Sequence, residues 1–92
     1  MNLNCGQVVE MGAGSIPSGN ILPVADTPFD FTDGFSTISD KDRLSGSIDG
    51  GGKHGIDHAF CVNRSDINAI DFVRVGELRH PASGRTMAVK TT

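Results

Sequence analysis

The amino-acid sequence predicts an all-β chain that folds as an antiparallel β-sandwich. Three prolines before residue 30 prevent a long helix in the first third of the chain. In the last third, two strand-like segments at 69–79 and 85–91 are separated by a short turn-forming segment. Glycine and proline recur at short intervals between the apolar segments, which is typical of many short strands.

The first predicted strand covers residues 7–11. Residues 16–19 (IPSG) are typical of a β-turn, because proline suits its second position and glycine its fourth. Residues 20–24 follow as an extended segment. Pro23 cannot donate a backbone hydrogen bond, so this segment is expected at the edge of a sheet.

Residues 27–31 are expected to be extended as well, with Phe29 and Phe31 anchoring them to a core. The only predicted helix is a turn or two at 39–44, where Ser39 is a suitable N-cap and acidic residues follow. A glycine-rich loop comes next.

The clearest prediction is an antiparallel hairpin formed by 69–79 and 85–91. Residues 80–84 (HPASG) form its tight loop, in which Gly84 is free to adopt a positive φ. On the second strand, Met87 and Val89 share one face.

The size and composition indicate one partial domain spanning residues 1–92. A chain of this length buries only about 60–65% of its unfolded surface. Hydrophobic residues make up 37% of the chain, and twelve glycines raise the entropic cost of folding. The chain also stops directly after a predicted strand, so we expect it to belong to something larger.

Charge and hydropathy exclude several classes of function. The net charge is −3, without a stripe of lysine and arginine, so no nucleic-acid partner is expected. No apolar segment approaches the about 20 residues of a membrane span, and no secretory signal is present, so we expect no membrane association and a cytoplasmic location. No cofactor is expected. Cys5 and Cys61 are expected to be free thiols.

The candidate functional residue is Asp57, in the segment 54–62 (HGIDHAFCV) that follows three glycines. Alternation places Ile56, His58 and Phe60 on one apolar face and directs Asp57 to the opposite side, beside small residues. A carboxylate at the start of a strand can accept hydrogen bonds from ligand hydroxyls or act as an acid or base.

Two other interpretations of this segment stay open. Aspartate and glycine are common where a loop enters a strand, for reasons of turn chemistry alone. His54, Asp57 and His58 could also form a metal site, although no metal is our expectation because three ligands on a glycine loop lack supporting groups. His58 fits a core histidine better than a ligand.

Three motifs resemble segments of the aldose 1-epimerase (galactose mutarotase) family, in the family's order. They are IPSGNILPV with DTPFDF at 16–31, GIDHAF at 55–60, and HPASGRTM at 80–87 followed by Val89, Thr91 and Thr92. The resemblance covers about residues 9–92. It implies that the chain is part of a large antiparallel β-supersandwich, from the second half of the domain.

The family interconverts the α and β anomers of aldoses such as galactose and glucose. By this resemblance, Asp57 matches the substrate-binding aspartate, which accepts hydrogen bonds from sugar hydroxyls. The catalytic histidine would precede residue 1 and the catalytic glutamate would follow Thr92, so no catalytic residue is assigned here. The chain departs from the family at 9–15 and at Ala59, where the family has asparagine.

The resemblance therefore implies an epimerase-like protein of hexose metabolism that has little or no activity on its own, with an aldose as its small-molecule partner. The alternative is a non-catalytic carbohydrate-binding β module, although the chain has no tryptophan or tyrosine to stack on a sugar. A third expectation is that the isolated chain folds poorly and self-associates through unpaired strand edges.

Overall fold

The computed structural model describes residues 1–38, 56–66 and 68–92, and these residues confirm the all-β prediction. Within these residues, six strands follow one another, with a single 3-10 turn at Ala13–Ser15 between the second and third. The strands are β1 (Asn2–Leu3), β2 (Gln7–Met11), β3 (Pro17–Pro23), β4 (Phe60–Cys61), β5 (Val73–His80) and β6 (Arg85–Thr91). The predicted helix at 39–44 and the glycine-rich loop after it lie outside the described residues.

The strands form two three-stranded antiparallel sheets, ordered β1-β5-β6 and β3-β2-β4. This arrangement is compatible with a sandwich. The segment 4–6 passes from one sheet to the other and is bonded to β5 and to the residue that follows β3. The Asn4 amide donates to the Val75 carbonyl at 2.8 Å, and the Val24 amide donates to the Gly6 carbonyl at 3.0 Å. Among the described residues, no helix is long and apolar enough to cross a membrane.

The predicted hairpin is present as β5 and β6, and its loop adopts the expected geometry. Gly84 has φ of +69°, and its amide donates to the His80 carbonyl at 2.9 Å. The prediction that the first strand starts at residue 69 is wrong, because β5 begins at Val73. The guanidinium of Arg64 donates to the carbonyls of Ala69 and Asp71, which therefore bond to a side chain instead of a strand.

The predicted strand at 7–11 is β2, with the expected bounds. The predicted turn at 16–19 is wrong, because β3 already starts at Pro17, which pairs with Met11. The chain reverses earlier, where Gly14 and Ser15 both have positive φ, and the Gly12 amide donates to the Ile16 carbonyl at 2.7 Å. β3 lies at a sheet edge, as Pro23 predicts.

Residues 27–31 form turns, so the prediction that they are extended is wrong. The Thr27 hydroxyl donates to the Val24 carbonyl at 2.7 Å, and the Asp30 amide donates to the Thr27 carbonyl at 3.1 Å. The predicted anchoring is confirmed, because Phe29 and Phe31 are buried. A threonine hydroxyl that bonds a preceding carbonyl favours a turn over a strand.

A small core lies beside the sheet that contains β2. Val8, Val24 and Phe29 are buried together, and the partly buried Leu22, Ile56 and Phe60 pack against them. Since Ile56 and Phe60 flank the candidate aspartate, this core cluster positions the candidate site.

Both cysteines are free, and burial, with a smaller contribution from nearby Cys61, raises the pKa of the Cys5 thiol.

Candidate functional site

The segment that carries Asp57 is bonded to β2 from Ala59 onward. The Val9 amide donates to the Ala59 carbonyl at 2.9 Å, and Phe60 and Cys61 pair with Val8 and Gln7. Val8 is fully buried, with 1% of its surface exposed. The strand that follows the candidate aspartate is therefore fixed to the central strand of its sheet.

The burial of residues 56–60 alternates as the sequence predicts. Ile56, His58 and Phe60 are half-buried, whereas Asp57 and Ala59 are exposed. The ring centroids of His58 and Phe29 are 4.4 Å apart, and Phe60 meets Phe29 edge-on at 6.2 Å. His58 thus packs against the core cluster, as expected for a structural histidine.

Asp57 presents its carboxylate on the opposite side of the segment. Among the described residues, none donates a hydrogen bond to this carboxylate or forms an ion pair with it. Other carboxylates are engaged: Glu10 accepts from Ser18 and Asn20, which lowers the pKa of its carboxyl. Asp57 therefore has acceptor positions that a ligand hydroxyl could occupy.

The alternative metal set of His54, Asp57 and His58 lies only partly within the described residues. His54 lies outside the described residues, and Asp57 and His58 are on opposite sides of an extended segment. No group of three histidine, cysteine, aspartate or glutamate side chains able to hold a metal ion occurs among residues 1–38, 56–66 and 68–92.

An open cavity of about 570 Å³, which sequence reasoning missed, lies at the end of the β5–β6 hairpin. On one side, Arg79 places its guanidinium 3.8 Å from the ring centroid of Phe35 and donates to Glu77 at 2.6 Å. His80 also lines the cavity, and its Nδ1 lies 2.8 Å from the Ser83 hydroxyl. Phe35 is 44 residues from Arg79 in the chain, so no local pattern could have paired them.

No protein-family model, no curated protein and no solved structure matches the chain. The resemblance to aldose 1-epimerases therefore depends on the three sequence motifs, and what it implies for Asp57 is a proposal.

Proposed function

We propose that this chain is an aldose 1-epimerase-like module that binds an aldose through Asp57 and does not catalyse anomer exchange by itself. The observation that carries the proposal is the exposed side chain of Asp57. It projects from a segment that Ile56, His58 and Phe60 anchor to the core cluster. A carboxylate held on a fixed strand entry can accept a bond from a sugar hydroxyl without first being ordered.

The expected affinity is low. A hydrogen bond to a charged group contributes about 1.5–3 kcal/mol, whereas a dissociation constant of about 1 mM requires about 4 kcal/mol. One carboxylate therefore supports binding only in the range of about tens of millimolar. The chain has no tryptophan or tyrosine that could add stacking on the pyranose ring.

The expected lack of catalysis follows from the chemistry. Exchange of anomers needs one group to remove the proton of the C1 hydroxyl and another to protonate the ring oxygen. General acid–base assistance contributes about 10²–10⁴-fold for each such group. The motifs that carry both groups in the resembled family have no counterpart among residues 1–92.

Polarimetry on freshly dissolved α-D-galactose tests the expected lack of catalysis. We expect the optical rotation to relax at the rate of buffer alone, at every protein concentration. An acceleration that scales with protein, disappears in Asp57→Asn and persists in Asp33→Asn would contradict the proposal. Asp33 is an exposed aspartate outside the site, so its variant matches the change in charge.

A further inference from the structure

The four outer edges of the two sheets differ in how they are protected. β1 is covered, because the Leu3 amide and the Asn2 side chain donate to carbonyls of residues 31–34. β3 begins and ends with proline, and β4 has only two residues. Short strands, prolines and covering segments are three of the ways in which proteins block edge pairing, and charged side chains on the edge strand are another.

β6 lacks the first three protections, and its two charged residues, Arg85 and Lys90, lie at or near its ends. It is seven residues long, contains no proline and lies at the edge of its sheet among the described residues. Six of its residues are exposed. Met87 and Val89 are 56% and 37% exposed on the same face. The row of outward backbone groups and these two apolar side chains are therefore accessible to another strand.

The sequence of β6 is complementary to itself when two copies run antiparallel. Pairing about Ala88 places Met87 opposite the partner's Val89, and Val89 opposite the partner's Met87. The two cations of the strand, Arg85 and Lys90, then face the partner's Thr91 and Thr86 instead of each other. Like charges directly opposite would be destabilising, and this register avoids them.

The apolar pairs continue a row that crosses the sheet of each copy. Leu78 of β5 pairs with Met87, and Gly76 pairs with Val89. Leu3 covers Gly76 on this face, since a Cβ built on Gly76 would lie 2.5 Å from Leu3 Cδ2. Across the junction, the row would run from Leu78 through Met87 to the partner's Val89 and the partner's Leu3.

We propose that two copies of this chain associate through β6, antiparallel and centred on Ala88, to form one six-stranded sheet. The strand is about 24 Å long at roughly 3.4 Å per residue. One strand edge buries less than the about 800 Å² per partner of a standard stable interface. The dimer is therefore weak, and its population depends on protein concentration.

Sedimentation velocity of the 92-residue chain, from about 10 μM to about 1 mM, tests the association. We expect a reversible shift from monomer to dimer. Met87→Lys, which places a charge opposite the partner's Val89, should raise the dissociation constant at least about tenfold. Ile21→Lys is the matched control, because Ile21 is 54% exposed on the edge strand β3, and it should leave the dissociation constant unchanged.

Cysteine cross-linking tests the register without depending on the folding of the lysine variants. In Ala88→Cys, the two introduced thiols face each other, and mild oxidation with oxidised glutathione should give a covalent dimer. In Thr86→Cys, the introduced thiols are about 14 Å apart along the strands, beyond the about 7 Å Cα separation that a disulfide tolerates. The unmodified chain controls for Cys5 and Cys61.

Four results would overturn the proposal. They are a monomer throughout the concentration range, equal weakening by Met87→Lys and Ile21→Lys, equal cross-linking at positions 86 and 88, or growth beyond the dimer. The last would indicate an open edge that captures any strand, rather than a register specified by β6.

Discussion

Replacing Phe29 with alanine is expected to lower the free energy of unfolding by about 3–5 kcal/mol. Phe29 is 4% exposed, forms the core cluster with Val8 and Val24, and contacts the rings of His58 and Phe60. Its removal leaves a cavity among all of these side chains. For a domain of this size, whose total stability is on the order of 5–14 kcal/mol, this loss amounts to between about a fifth and all of the stability.

Urea denaturation followed by circular dichroism measures this effect. Phe72→Ala is the matched control, because Phe72 is 72% exposed and should change the free energy of unfolding by less than about 0.5 kcal/mol. If Phe29→Ala does not fold, Phe29→Leu gives a smaller loss in the same direction. Equal effects at positions 29 and 72 would contradict the assignment of Phe29 to the core.

Gly76→Ala is expected to destabilise the chain by about 1–3 kcal/mol, because the added methyl has no room. A Cβ at this position would lie 2.5 Å from Leu3 Cδ2 and 3.0 Å from the Asn2 carbonyl oxygen. The Leu3 side chain can turn aside, but the Asn2 carbonyl belongs to β1, which pairs with β5 at this point. The substitution is therefore expected to push β1 away from β5 at this pair.

A double-mutant cycle with Leu3→Ala isolates this contact. The cost of Gly76→Ala should be smaller in the Leu3→Ala background, since the nearest atom is gone, and it should not vanish, since the Asn2 carbonyl remains. A cost that is the same in both backgrounds would mean that Leu3 does not limit the space above Gly76.

Local chemistry explains which elements could be predicted from the sequence. The hairpin loop needs a positive φ at Gly84 and a short connection, and both are encoded within residues 80–84. The alternation of burial at 56–60 follows from residues that are adjacent in the chain. Neither depends on a distant partner, so the pattern alone was sufficient.

The wrong predictions occur where a distant strand, or a nearby group that competes for the backbone, sets the conformation. β1 has only two residues, and it forms by pairing with residues more than 70 positions away. Residues 69–72 have the composition of a strand, but Arg64 takes the carbonyls of Ala69 and Asp71. Pro17 suits a turn and also suits an edge strand. Because the chain reverses at Ser15, which has a positive φ, Pro17 lies in the strand that follows.

Of the candidate site, the sequence predicted the orientation of Asp57 and the packing of His58, because both follow from alternation. It did not predict the cavity beside Arg79, because Phe35 reaches it through tertiary folding. Long-range packing of this kind leaves no periodic signal in a single sequence.

The most direct test of the proposed sugar site is a proton–nitrogen NMR correlation spectrum of the chain, titrated with galactose to about 100 mM. We predict dispersed peaks, and chemical-shift changes confined to the amides around Asp57. These changes should follow a dissociation constant of about tens of millimolar. These shifts should be absent in Asp57→Asn and retained in Asp33→Asn. A dispersed spectrum with no shift near Asp57, or shifts that survive in Asp57→Asn, would contradict a sugar site at this aspartate.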